Sequence, residues 1–216
     1  MAHTFTDDYW ECGMAAPHYV AWYEGRDLVP TYRRHKQLIQ YIGSTQPTVP
    51  WLLKYPVHMK HLSSFLQVYP DALMVWTHRD PSRIMSSYGS LIAGFRALNA
   101  TRVDLTAIVE EQMEVWAAGA DRAIDVRRER DPAQFFDLYF EDFIADPVGS
   151  VRRIYAHFDL EWTDACDGAL RAWHAQNPQH RHGKHEHSLD AVNVSRERML
   201  DRFGTYITHF DVPVEM

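Results

Sequence analysis

The run Thr77-His78-Arg79-Asp80-Pro81-Ser82-Arg83-Ile84-Met85-Ser86-Ser87 gathers residue types that bind a phosphate. An arginine offers a planar fork of charged donors, and serines offer hydroxyls. The start of a helix adds backbone N–H groups that have no partner within the helix. The run follows the apolar stretch Ala72-Leu73-Met74-Val75-Trp76, which predicts a buried strand over 72–77. It leads into a stretch that predicts a helix over 82–98, with Pro81 in the first turn, where its missing N–H costs nothing. An arginine at a strand end, a proline turn and early helical serines would hold an anion from two sides.

A second stretch, Trp51-Leu52-Leu53-Lys54-Tyr55-Pro56-Val57-His58, reads as another strand, 51–54, ending in a cation, a proline and a histidine. If both strands are parallel, their carboxyl ends point Lys54, His58, Arg79 and Ser87 into one crevice, where ligands of open α/β sheets bind. Histidine titrates near neutrality, so His58 is the candidate proton acceptor on this chain. Each residue also has a plainer reading. Arg79 could pair with Asp80, Ser87 could face a neighbouring helix with Ser86 as the alternative hydroxyl, Lys54 could be a strand-end lysine, and His58 could cap or pack.

These groups need a scaffold, and the chain of 216 residues is long enough for one α/β domain spanning 1–216. Apolar residues make up 46% and aromatic residues 13%, ample for a core. Helices are expected over 18–42, 57–68, 82–98, 104–130, 148–158 and 163–175, with a third strand over 134–140. Leu105, Ile108, Val109, Met113 and Trp116 form the apolar stripe of the longest helix. Strands alternating with helices predict a three-layer parallel sheet with helices on both faces. The charge run 121–130 reads as a solvated helix face. Trp10, Trp22 and Tyr23 could line an acceptor pocket, with burial in the core the default.

A net charge of −7 argues against non-specific nucleic-acid binding. No leader-like run opens the sequence, and no stretch is long enough to span a membrane, so a cytoplasmic protein with no membrane partner is expected. Cys12 and Cys166 are too few for a disulfide framework and read as free thiols. The tract His180-Arg181-His182-Gly183-Lys184-His185-Glu186-His187 could be a metal site, but its interleaved cations favour a basic loop, and no metal is expected.

Several ordered motifs resemble the nucleotide-binding core of sulfotransferases, and most closely the bacterial group. These are Lys54-Tyr55-Pro56-Val57-His58, Tyr69-Pro70-Asp71-Ala72, His78-Arg79-Asp80-Pro81, and Tyr139-Phe140-Glu141-Asp142-Phe143 with Asp146-Pro147. The resemblance runs from about Tyr32 to Phe210. It implies a P-loop-NTPase-like sulfotransferase fold and transfer of a sulfuryl group from 3′-phosphoadenosine-5′-phosphosulfate, the co-substrate, to a hydroxyl or amine of a small-molecule acceptor. It further implies that Arg79 and Ser87, at the family's spacing, hold the 3′-phosphate. Lys54 would steady the leaving group, His58 would act as catalytic base, and Arg181, Gly183 and Lys184 would form a loop over the nucleotide. Phe140 stands where many family members carry tyrosine.

The family's opening strand and its loop of the type Gly-x-x-Arg/Lys-Ser-Gly-Thr-Thr, which cradles the phosphosulfate, have no counterpart here. Gly13, Gly25 and Gly43 are isolated. The expectation is therefore a chain that lacks the first βα unit, through a late start or a natural truncation. The alternative reading is an inactive homologue that binds a nucleotide or a partner. A sheet without that strand would expose an apolar edge and favour a homo-oligomer. A kinase-like phosphate binder is disfavoured, since no Gly-x-x-x-x-Gly-Lys-Ser/Thr run occurs.

Overall fold

The computed structural model describes residues 9–45, 50–178 and 192–214. Two parallel strands, β1 (Met74–His78) and β2 (Phe135–Tyr139), pair in register from Met74↔Phe135 to His78↔Tyr139. Parallel strands need a long crossover. Here it is the helical pair α5 (Pro81–Ala97) and α6 (Leu105–Arg128). Asp104 caps α6, its carboxylate accepting the Ala107 N–H. Ahead of β1 lie α1 (Tyr9–Gly13), α2 (Pro17–Glu24), α3 (Val29–Gly43), a 3-10 turn (Pro56–His58) and α4 (Leu62–Val68). After β2 come α7 (Phe140–Ala145), α8 (Pro147–His157), α9 (Asp164–Gln176), α10 (Arg196–Arg202) and α11 (Gly204–Phe210).

Helix α6 joins two cores. On one side Met85, Val109, Met113 and Ile124 pack against Met199, Phe203, Tyr206 and Phe210. On the other, Tyr23, Tyr32, Leu62, Phe65 and Leu66 pack against Ala123 and Phe135. The stripe read from the sequence behaves as expected: Ile108, Val109 and Met113 are fully buried, while Leu105 and Trp116 flank them.

Three sequence expectations change. The helix expected over 18–42 is two helices, α2 and α3, broken between Glu24 and Val29. The helix expected from Val57 begins only at Leu62, after the 3-10 turn that Pro56 starts. The segment 51–54, expected as a strand, joins no ladder; among the described residues the sheet has two strands. Extended backbone becomes a strand only when a neighbour takes its hydrogen bonds, and no described strand lies beside it. Leu52 is 96% exposed, and Trp51, Leu73 and Val75 are also exposed, so apolar surface lies open along 51–52 and β1.

The charge run 121–130 is not wholly solvated. Arg127 turns inward and makes two hydrogen bonds to Asp137, at 2.7 and 2.8 Å, with its guanidinium against Trp76, Phe135 and Phe210. Cys12 and Cys166 form no disulfide with each other. No helix among the described residues is long and apolar enough to cross a membrane.

Candidate functional site

The site grows from the carboxyl ends of the two strands. His78, the last residue of β1, is fully buried. Its Nε2 lies 2.8 Å from Asp137 Oδ1 and its Nδ1 lies 3.0 Å from the Tyr206 hydroxyl. A carboxylate can only accept, so Nε2 carries the proton; in the neutral ring Nδ1 then accepts from Tyr206. Burial opposes the charged form of Asp137, but the hydrogen bonds from Arg127 and His78 outweigh it and hold this carboxyl well below the usual range. The network ties α6, both strands and α11 together directly behind Arg79.

Arg79 follows. Its guanidinium carbon lies 4.0 Å from the centre of the Phe140 ring. Phe140 follows Tyr139, the residue paired with His78, so the stack is a direct product of strand register. Arg79 Nε is buried and has no acceptor. Among the described residues Arg79 has no carboxylate partner, and the plain reading of an Arg79–Asp80 pair does not hold. Asp80 is committed elsewhere. Oδ1 accepts the Ser82 N–H at 2.8 Å and the Ser82 hydroxyl at 2.6 Å, and Oδ2 lies 3.0 Å from Arg196 Nη2.

This arrangement corrects one expectation. The α5 N-terminus does not offer an open set of N–H groups and hydroxyls, because Asp80 caps it and Ser82 is buried in that cap. Between the two later serines the helix distinguishes plainly. Ser86 is buried on the inner face with Ser82, Met85 and Gly89, whereas Ser87 is partly exposed and has no hydrogen-bond partner among the described residues.

Lys54 and His58 are placed differently from Arg79. Lys54 is exposed on the irregular segment ahead of the 3-10 turn. His58 ends the 3-10 turn and is buried, its Nδ1 3.0 Å from the Tyr32 hydroxyl and its ring against Phe65 and Tyr55. Burial, with smaller contributions from His35 and His61, pushes its pKa down to about 4. His58 lines a recess with Tyr23, Leu28, Thr31, Tyr32, His35 and Tyr55. Lys54, Arg79 and Ser87 are not among the residues that line it. Tyr23 belongs to that recess, while Trp22 is exposed under Arg26. Arg181, Gly183, Lys184 and the histidine tract lie outside the described residues. Among the described residues no group of three His, Cys, Asp or Glu side chains is placed to hold a metal.

Sequence reasoning missed Arg196, Asp137 and Tyr206. None is near Arg79 in sequence, and no periodicity marks a contact between distant segments. Only the register of β1 and β2 places Asp137 and Phe140 there.

The sulfotransferase family model matches residues 1–164 of this chain. The chain belongs to the sulfotransferase family. It is 25% identical over 169 residues to omega-hydroxy-beta-dihydromenaquinone-9 sulfotransferase Stf3 of Mycobacterium bovis and of Mycobacterium tuberculosis, covering 76% of this chain and 43% of theirs. Its structure superposes on sulfotransferase STF9 from Mycobacterium avium with a TM-score of 0.87 at 30% identity, over 96% of this chain and 53% of that one. For sulfotransferase STF1 from Mycobacterium tuberculosis H37Rv the TM-score is 0.81 at 32% identity, over 93% and 52%. The architecture is the α/β, P-loop-like sulfotransferase fold. The chain spans about half the length of these relatives.

Proposed function

We propose that this chain carries the 3′-phosphate site of a sulfotransferase that uses 3′-phosphoadenosine-5′-phosphosulfate and a small-molecule hydroxyl or amine acceptor. The observation that carries the reading is Arg79: a partly buried guanidinium at the carboxyl end of a parallel strand, stacked on Phe140, with no carboxylate partner among the described residues. A guanidinium so placed suits an anion with bidentate geometry. Ser87 adds a hydroxyl two turns into α5, at the spacing that the family resemblance implies.

In the reaction the bond from sulfur to the donor's phosphate oxygen breaks as the acceptor oxygen or nitrogen bonds to sulfur. The electron pair leaves with 3′-phosphoadenosine-5′-phosphate. The acceptor's proton passes to a base, for which His58 is the proposed group. With a pKa near 4 its ring is neutral at pH 7 and can accept, although it is a weak base. Lys54 would neutralise charge on the leaving phosphate, and catalysis would rest on positioning and charge compensation, as in phosphoryl transfer. Arg181, Gly183 and Lys184 are proposed, on resemblance alone, to close over the nucleotide. The 216 residues contain no glycine-rich phosphosulfate loop, so their own groups account for the 3′-phosphate end of the donor. The relatives do not favour a non-catalytic reading.

The test compares calorimetric titrations with 3′-phosphoadenosine-5′-phosphate and with adenosine 5′-phosphate. The reading requires the first to bind at least about tenfold more tightly, the effect of one charge-assisted phosphate contact. Equal affinities contradict it.

A further inference from the structure

Charge is unevenly placed along this chain. The stretch from Leu28 to Pro70 holds five of the 22 lysines and arginines and none of the 29 aspartates and glutamates. Two of the five turn inward: Lys36 donates to the Val68 carbonyl at 3.0 Å, and Lys60 is buried against Glu11. Arg33, Arg34 and Lys54 stay exposed, and none of them has a carboxylate partner among the described residues. By contrast, the surface arginines Arg122, Arg128, Arg152, Arg171 and Arg198 each pair with a carboxylate.

The same region exposes large apolar side chains. Helix α3 carries Arg34, Leu38, Tyr41 and Ile42 at i, i+4, i+7 and i+8, all exposed on one side, while Val29 and Tyr32 face the core. A Cβ on Gly43 would stand 3.5 Å from the Trp51 ring, so the exposed Trp51 lies at the C-terminal end of that helix, followed by Leu52. Tyr41 is 80% exposed and Leu52 96%. Apolar groups of this kind enter the acyl boundary of a bilayer, tryptophan and tyrosine settle at headgroup level, and cations meet anionic headgroups.

We propose that the exposed side of α3, together with Trp51, Leu52 and the cations beside them, docks on an anionic lipid surface. Charge complementarity selects this occupant. A second copy docked through the same patch would set the unpaired cations of both chains against each other, with no acid in the stretch to answer them. The overall charge of −7 does not oppose the contact, because charges beyond about 8 Å are screened at physiological salt and the lipid meets the local cations. The contact is with the surface alone, as no described helix can cross a membrane. It is independent of the 3′-phosphate reading.

The test is sedimentation of the chain with vesicles of phosphatidylcholine alone and of phosphatidylcholine with phosphatidylglycerol in equal parts. The wild type should bind the anionic vesicles at least about tenfold more tightly than the neutral ones. Arg33→Gln/Arg34→Gln should lose about tenfold or more on the anionic vesicles, the scale of two cations near the surface. Arg128→Gln/Arg152→Gln, which removes the same charge where it is already paired, should stay within about threefold of the wild type. Tyr41→Ser/Leu52→Ser changes side chains outside the core and should also lose about tenfold. Equal binding to both vesicles, no binding by the folded wild type, or equal losses in the two arginine variants overturns the proposal. So does a dimer in light scattering that Tyr41→Ser/Leu52→Ser dissolves, which would assign the face to a second copy.

Discussion

Arg79 and Phe140 each directly follow the last pair of the two parallel strands, His78 and Tyr139, and there the guanidinium carbon lies 4.0 Å from the ring centre. The stack fixes the plane of the fork without using any of its donors. Where tyrosine would offer a hydroxyl, phenylalanine offers only its face. Phe140→Leu should therefore weaken 3′-phosphoadenosine-5′-phosphate binding about two- to fivefold, the scale of a cation–π contact of ~0.5–1 kcal/mol, whereas Phe140→Tyr should retain it. Calorimetry on the two variants checks this, and equal losses in both would contradict the stacking role.

The proton chemistry of His58 gives a pH signature. Its folded pKa, about 4, lies below its ordinary value of 6.5. Between these values the unfolded chain takes up a proton that the folded chain refuses, so stability falls as pH drops from 6.5 toward 4. An NMR titration should find the His58 ring neutral down to about pH 5. If His58 is the base, kcat/KM should show no falling limb near pH 6.5. A His58 midpoint near 6.5 would contradict the burial.

Asp137 behaves with the usual carboxylate sign. Its folded pKa is depressed by Arg127 and His78, so the stability it contributes is complete above its unfolded pKa and is lost as pH falls below roughly 4. Asp137→Asn should cost about 1.5–3 kcal/mol at pH 7, the value of hydrogen bonds to a charged group, and the gap to the wild type should narrow in acid. Urea unfolding at pH 7 and at pH 3 reads both.

Gly89 marks the close contact of α5 with α6. A Cβ built there would stand 2.4 Å from Val109 Cγ2, and Val109 is fully buried. Alanine favours a helix over glycine by about 1 kcal/mol, but overpacking costs about 1–3 kcal/mol, so Gly89→Ala should be destabilising or neutral at best. Val109→Ala in the same chain should offset the clash, and thermal unfolding of the single and double variants measures the coupling.

Much of this was legible in the sequence, for reasons that particular residues show. Strand β1, its proline turn and helix α5 are local events, set by the apolar run 72–76, Pro81 and the periodicity beyond. The stripe of α6 is likewise local. Strand 51–54 was not legible in the same way, because an extended apolar segment becomes a strand only through a partner. Arg127 was misread for the same kind of reason: the charge run around it looks solvated until β2 brings Asp137 alongside. The Arg196–Asp80 pair joins segments with no mutual signal in one sequence. The order of motifs pointed to the family, but the stacking of Arg79 on Phe140 is visible only in three dimensions.

Arg79 is proposed to hold the 3′-phosphate of the donor nucleotide. The direct measurement is calorimetric titration of the chain and of Arg79→Ala with 3′-phosphoadenosine-5′-phosphate. The expected result is binding that the variant weakens roughly ten- to a hundredfold, or about 1.5–3 kcal/mol. Equal binding by both folded proteins, or none by the folded wild type, would contradict it.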